Sequence, residues 1–356
     1  MALLLTSSSP RVKSLRYFPM ITSLPYPSAP HLQRNHQRAP VLEPPLSTFT
    51  YQTSSKSKAF QWRSIIPKDS IDSHIHIVLP DHYPLSPSRA YTPTPASIKQ
   101  AQDTLGSTFQ RFVIVQPSIY DTDNRCTIDS TRTLSAMNGC ASIAVVDMTL
   151  DQITQLKEVD PSIRALRINM ASTRTNVDSD SLHSQLKASA PLLNKKGWAL
   201  QLHLEMHSLP AIKTALNAFD VPIVFDHFAR PSCLWPQPYD LNAQNGPEGL
   251  QDLIELLSNQ SKQVYVKLSA PYRFLPKHAN LDLVFPLFRL LVNTAPDRLV
   301  IGSDWPHTRY EDFDAQTWLE LVTRWSFALG GHDLVRKIFV TNAEKLWGVS
   351  TKHLSG

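Results

Sequence analysis

Five side chains of the right types to act together are spread along the chain. His74 and His76 sit in IDSHIHIVL, His203 in LHLE, His227 in DHFAR and Asp304 in GSDWPH. Imidazole nitrogens and carboxylate oxygens are the donors a divalent ion such as zinc takes. The same groups suit a metal-free hydrolytic site in which histidines donate hydrogen bonds and an aspartate acts as base. His74 and His76, two residues apart in a strand-like run, would point to one face of that strand. Each residue also has a plainer role open to it. A lone buried histidine is more often a hydrogen-bonded core residue, and Asp226 beside His227 could simply tie a strand end. Only convergence of the whole set at one place makes a site.

Convergence depends on the elements that carry these residues. From Ile71 onward, short β-branched runs alternate with segments of helical apolar spacing. The strand candidates are IDSHIHIV (71–78), RFVIVQPS (111–118), ASIAVVDM (141–148), IRALRINM (163–170), WALQLHLE (198–205), VPIVFDHF (221–228), QVYVKLSA (263–270) and RLVIGSDW (298–305). Between them lie helix-like stretches such as SLHSQLKASAPLLNKK, LPAIKTALNAF, GLQDLIELLSNQ and LDLVFPLFRLLVNT. Strands alternating with helices imply parallel βαβ units, and eight of them match an α/β fold of the (β/α)8 TIM-barrel type. A doubly wound open sheet is weakened as a rival because no GxGxxG loop follows the first strand. In a barrel, reactive groups gather at the C-terminal strand ends. Here those ends carry His74 and His76, then Gln116 and Asp147, Arg167 and Asn169, Gln201, His203 and Glu205. Asp226, His227 and Arg230 follow, then Lys267, Ser269, Tyr272 and Arg273, and finally Asp304 and His307. Polar groups are costly in a barrel interior unless they meet one another, a ligand or a metal.

Composition narrows the function class. The net charge of +5 is spread over 356 residues without a basic cluster, which speaks against a nucleic-acid surface. The 42% hydrophobic content suffices for a core, and no apolar run is long enough to span a membrane. Cys126, Cys140 and Cys233 form no CxxC pair, which favours a reducing compartment over a disulfide framework. Residues 1–60 read as a disordered leader. Up to Leu42 they lack Asp and Glu while Arg11, Lys13, Arg16, Arg34 and Arg38 recur among Ser and Pro. That pattern resembles a mitochondrial-type transit peptide, the alternative being a Pro-rich cytoplasmic leader with no address.

The motifs DSHIH, LHLE, DHFAR, KLSAPYR and GSDWPH, in this order, resemble the amidohydrolase superfamily in its amidohydrolase-2 branch. VQPSIYDTDNRC and RAYTPTPAS narrow the likeness to the 2-pyrone-4,6-dicarboxylate lactonase-like barrel hydrolases, and the resemblance covers residues 65–348. It implies a hydrolase that opens a carboxylated lactone, with Asp304 as the base that activates water. His74, His76 and His203, with His227 in the same catalytic group, would bind a metal or donate to the lactone carbonyl. If one metal is bound, its ligands would be His74, His76, His203 and Asp304, and zinc would be the ion. Substrate carboxylates would fall to Arg230, Arg167 and Arg273, with Tyr91 as a further contact. Arg174 is the candidate for a second arginine after strand four, at a shifted spacing. Ala229 and Ala270 depart from the family's usual glycines, and strand four lacks the Lys or Glu that bridges two metals. The rival enzymatic reading is a zinc-dependent decarboxylase of an aromatic or enol acid. A barrel that only binds a carboxylated ligand would have no need of the full set of five.

Overall fold

Eight parallel strands form one sheet in the order β1 to β8. They are Ile71–Ile75 (β1), Arg111–Val115 (β2), Ile143–Val146 (β3), Ile163–Asn169 (β4), Ala199–His203 (β5), Ile223–Phe225 (β6), Val264–Leu268 (β7) and Leu299–Ile301 (β8). The structure, a computed structural model, describes residues 61–156, 158–171, 179–232 and 246–349. The leader, Arg174 and Cys233 lie outside the described residues. Closure between the first and last strands comes just past β8, where Ile75 pairs with Trp305. There the Asp304 N–H donates to the His74 carbonyl and the His76 N–H to the Trp305 carbonyl, each at 2.8 Å. The barrel is closed by the same residues that carry the chemistry.

Each strand falls within the run expected for it, and all but β4 stop before the last polar residues of that run. The reason is local backbone. Residues 227–230 after β6, Ala270 after β7 and Asp304 after β8 all have positive φ, which ends a ladder and turns the chain across the barrel mouth. Helices follow the strands: Ile98–Leu105, Arg125–Asn138, Leu150–Gln155, Ser179–Lys196, Leu209–Leu216, Leu250–Ser258, Phe285–Thr294 and Ala315–Arg336. Their starts are written in the sequence. Ser97 with Gln100, and Thr149 with Gln152, form reciprocal capping boxes, while Asp314 accepts from the N–H groups of Gln316 and Thr317. The helix Ala315–Arg336 is kinked at Gly330 and Gly331, and a last helix, Asn342–Trp347, follows. No helix of the described residues is long and apolar enough to cross a membrane.

Two apolar layers result from strand alternation. The outer layer packs strand residues such as Ile114, Leu200, Phe225 and Val266 against the helices. The inner layer joins Ile71, Val113, Val145, Ala165, Ala199, Val224, Tyr265 and Val300 to Leu346 and Trp347, which plug the bottom of the barrel. Strand β1 changes parity partway. Ile71 belongs to the inner layer and Ile75 and Ile77 to the outer one, with a register shift between Asp72 and Ile75. That irregularity lets His74 and His76 face inward although Ile71 does so too.

Trp318 links the outer layer to the site. It is fully buried, meets the Phe228 ring edge-on at 5.9 Å and donates its indole N–H to the Leu268 carbonyl at 3.3 Å. Trp318→Ala should cost about 3–5 kcal/mol of unfolding free energy in a denaturant titration. A change under about 1 kcal/mol would show that this contact contributes little.

Candidate active site

Above the apolar plug the barrel interior becomes ionic. Lys267 is fully buried, with Nζ 5.5 Å from the Trp347 ring centre, 2.8 Å from Gln201 Oε1 and 3.4 Å from Asp226 Oδ1. The other Asp226 oxygen accepts from Gln201 Nε2 at 3.0 Å and from Arg167 Nε at 3.1 Å. Asp226 Oδ1 also lies 3.3 Å from His74 Nδ1, a polar contact that holds the neutral ring from below. Asp226, Lys267, Gln201 and Arg167 thus form a charged floor under the histidines.

On that floor stand His74, His76, His203 and His227. The partner of His76 assigns its tautomer. His76 Nδ1 is 2.7 Å from the Val115 carbonyl, so it carries the proton and leaves a lone pair on Nε2. His227 Nδ1 is 2.8 Å from Ser269 Oγ. The Nε2 atoms of His74 and His76 each lie 3.5 Å from Asp304 Oδ1, and His227 Nε2 lies at 3.9 Å. His74 Nε2 and His76 Nε2 are 3.3 Å apart. Asp304 Oδ1 is buried and accepts no hydrogen bond among the described residues. Its other oxygen is fully engaged, by Tyr272 Oη at 2.6 Å and by Arg273 at 2.6 and 2.8 Å. Acceptor atoms therefore crowd one point from several sides, an arrangement that a cation between them would resolve. His74, His227 and Asp304 form a group whose ligand atoms lie within 4.8 Å of one another, which fits a metal ion.

His203 stands apart from that group. It meets His227 edge-on at 5.0 Å, takes an Arg167 guanidinium against Nδ1 at 3.0 Å and has Arg230 at 3.4 Å from Nε2. Arg230 is paired with Glu205 at 2.8 Å. Tyr91, Arg167, Arg273, His76, His203 and His227 line a cavity of about 20 Å³ at the mouth. That is room for one water molecule.

Comparison with known proteins identifies the family and the fold. The amidohydrolase family Amidohydro_2 matches residues 71–349. The chain belongs to this amidohydrolase family. A 2-pyrone-4,6-dicarboxylate hydrolase of Comamonas testosteroni is 26% identical over 294 residues, 79% of this chain and 91% of that protein. A 4-sulfomuconolactone hydrolase of Hydrogenophaga intermedia is 28% identical over 253 residues, 70% and 78% of the two chains. The fold is shared with a crystal structure of a probable 2-pyrone-4,6-dicarboxylic acid hydrolase from Acinetobacter baumannii. Its TM-score is 0.62 at 21% identity, covering 79% of this chain and 99% of that one.

The electrostatics of this amidohydrolase follow from burial and pairing. Burial, with Lys267 nearby, pushes His74 down to about 3, and burial with neighbouring charge holds His203 and His227 well below the usual range. All three imidazoles are neutral at physiological pH and available as ligands or hydrogen-bonding groups. Burial alone would raise Asp304, but Arg273 and the imidazoles outweigh it and hold the carboxyl well below its ordinary range. Lys267 is lowered to about 8 by burial, against the attraction of Asp226. Ala229 and Ala270, the two departures from glycine, have φ of 58° and 46°. A left-handed alanine costs about 1–2 kcal/mol that glycine would not. This amidohydrolase therefore stores strain beside His227 and Tyr272.

Several site residues carried a weak or absent signal in one dimension. Asp226 looked like a strand tie, yet it joins His74, Lys267 and Arg167. Arg309, five residues past Asp304, lines the mouth without belonging to any motif.

Two expected outcomes test the floor and the mouth. Asp226→Asn strands Lys267 and Arg167 without their counter-charge, so it should destabilise the fold by about 3–5 kcal/mol. It should also weaken Zn²⁺ binding in equilibrium dialysis by roughly 10–100-fold, because His74 loses its support. Unchanged zinc affinity would refute that support. Asp147, at the end of β3, is raised from 3.8 to about 6 by burial, which Arg167 only partly offsets. A raised folded-state pKa means the native state holds this proton more tightly, so Asp147 lowers stability as pH rises from 3.8 through about 6. Asp147→Asn should gain about 2 kcal/mol at pH 8, and the gain should vanish as pH approaches about 4 in denaturation curves.

Proposed function

We propose that this amidohydrolase hydrolyses the ester bond of a carboxylated lactone, and that Asp304 activates the attacking water. The observation that carries the reading is Asp304 Oδ1, a buried carboxylate oxygen with no hydrogen-bond donor, facing His74, His76 and His227 beside a cavity the size of one water. The relatives named above are hydrolases of ring lactones bearing acidic groups, which favours lactone opening over decarboxylation.

Water adds to the ring carbonyl while Asp304 Oδ1 takes its proton. The ring C–O bond then breaks and the proton passes to the departing ring oxygen, leaving a carboxylic acid that ionises by releasing its remaining proton to solvent. Tyr272 and Arg273 hold Asp304 Oδ2, so Oδ1 alone faces the reacting atoms. Arg167 and Asn169 Oδ1, each 3.0 Å from His203 Nδ1, fix the ring with its Nε2 edge beside Arg230 at the mouth, where a proton on Nε2 would be donated to the developing oxyanion. Such a preorganised donor contributes on the order of 3 kcal/mol. Arg230 and Arg273 lie side by side, the Arg230 guanidinium 3.5 Å from the Arg273 carbonyl, and take one substrate carboxylate. Arg167 supports that carboxylate side from the floor, Tyr91 forms the opposite wall, and Arg174 is assigned to the same task from sequence alone. The His74, His227 and Asp304 group, with His76 adjoining, would hold one divalent ion, zinc by its nitrogen and oxygen donors, which would polarise the carbonyl and acidify water. His203, engaged by two arginines, serves the oxyanion in this reading rather than the ion.

Asp304→Asn should lower kcat for lactone opening by about 10²–10⁴-fold, with the ring-opened product still bound in calorimetry. Near-native turnover would remove Asp304 from its role as base. A chelator followed by Zn²⁺ add-back should abolish and then restore activity in the unmodified enzyme.

A further inference from the structure

Four guanidinium groups surround the mouth, and three of them already have a carboxylate of the chain. Arg167 pairs with Asp226 at 3.1 Å, Arg273 with Asp304 at 2.6 Å and Arg230 with Glu205 at 2.8 Å. Arg309, on the loop after β8, is the exception. Its guanidinium lies over the Tyr91 ring at 5.0 Å from the centre, and among the described residues no carboxylate comes within ion-pair reach of it. Its backbone N–H is fixed by Glu311 Oε1 at 3.0 Å, which anchors the residue without engaging its charge. Arg230 is held below its usual range by burial and, despite Glu205, by the like charges of Arg273 and Arg309, so these cations share one field.

We propose that Arg309, seated on Tyr91, binds a second anionic group of the substrate and makes the site select doubly charged rings over singly charged ones. A ligand anion meeting Arg167, Arg230 or Arg273 must compete with an internal carboxylate. At Arg309 it meets a guanidinium with no such partner. Stacking on an aromatic face uses the flat side of the guanidinium and leaves its N–H edges free for a bidentate contact in the plane. The residue is exposed at the rim, and the cavity behind it holds only about 20 Å³, so the anionic end of a ring substrate meets Arg309 at the outer edge of the site. Tyr91 thereby acts as a positioning residue that presents the cation to the mouth.

This assignment deepens the lactone reading and rests on it for the substrate class, but it can be tested apart from turnover. Benzene-1,3-dicarboxylate is a planar ring with two carboxylates and no hydrolysable bond; its monoamide has one carboxylate and nearly the same shape. Calorimetry on the full chain should show the dicarboxylate bound more tightly. Arg309→Met should weaken the dicarboxylate about 10–100-fold and bring the two ligands to similar affinity, while Arg309→Lys keeps most of the preference. A preference that survives in Arg309→Met, equal weakening of both ligands, or no preference in the unmodified protein would overturn the proposal. If the expected pattern appears but no lactone is opened, the hydrolytic reading fails and the anion site stands. If doubly charged lactones are opened and Arg309→Met leaves KM unchanged, the anion site fails and the hydrolytic reading stands.

Discussion

A single buried carboxylate oxygen, Asp304 Oδ1, organises the upper half of this barrel. It is fully enclosed, accepts no hydrogen bond among the described residues and faces the Nε2 atoms of three histidines. An ionised oxygen in such a place is tolerable only because its twin is held by Tyr272 and Arg273 and because the rings around it are fixed from behind. Val115 fixes His76, Ser269 fixes His227, and Asp226 fixes His74. Each of these supports comes from a different strand or strand end. The geometry of the oxygen therefore depends on closure of the whole barrel.

The charged floor explains how so polar a centre survives in a fold whose interior is ordinarily apolar. Lys267 and Arg167 converge on Asp226, and Gln201 bridges lysine to carboxylate, so the layer satisfies most of its own polar atoms before the histidines are added. Such a layer is a weak source of stability compared with packed hydrocarbon. What it supplies is orientation, since a ring held by a buried ion cannot turn freely. The Leu346 and Trp347 plug beneath it keeps water from the ionic layer and provides the apolar burial the floor does not.

Backbone strain is gathered at the same level. His227, Phe228, Ala229, Arg230, Ala270, Asp304, His307 and Arg309 all adopt positive φ at the mouth. A straight continuation of the strands would carry these side chains away from the axis; the left-handed turns bring them across it. Trp318 and Phe228 pack beneath one of these turns and oppose its relaxation. At Ala229 and Ala270 the chain holds a left-handed conformation that glycine would adopt without strain.

Much of this was readable in one dimension. Period-two apolar runs and capping residues mark strands and helices because both depend on neighbours a few positions away. The order of the His, Arg and Asp motifs marked the family for the same reason: each motif is a strand end with its own short turn. The expected set of His74, His76, His203, His227 and Asp304 does come together at the mouth. Their partition was not readable. The register shift in β1, the closure of Asp304 onto His74 and the pairing of Arg167, Arg230 and Arg273 with one carboxylate each all join residues tens to hundreds of positions apart. Asp226 and Arg309 show the difference most clearly. By sequence Asp226 is a strand-end carboxylate open to a purely structural role and Arg309 a loop cation outside every motif; only the closed barrel makes the first a support for His74 and leaves the second facing the mouth with no carboxylate partner among the described residues. Local spacing determined which residues could react, and long-range packing decided which atoms meet.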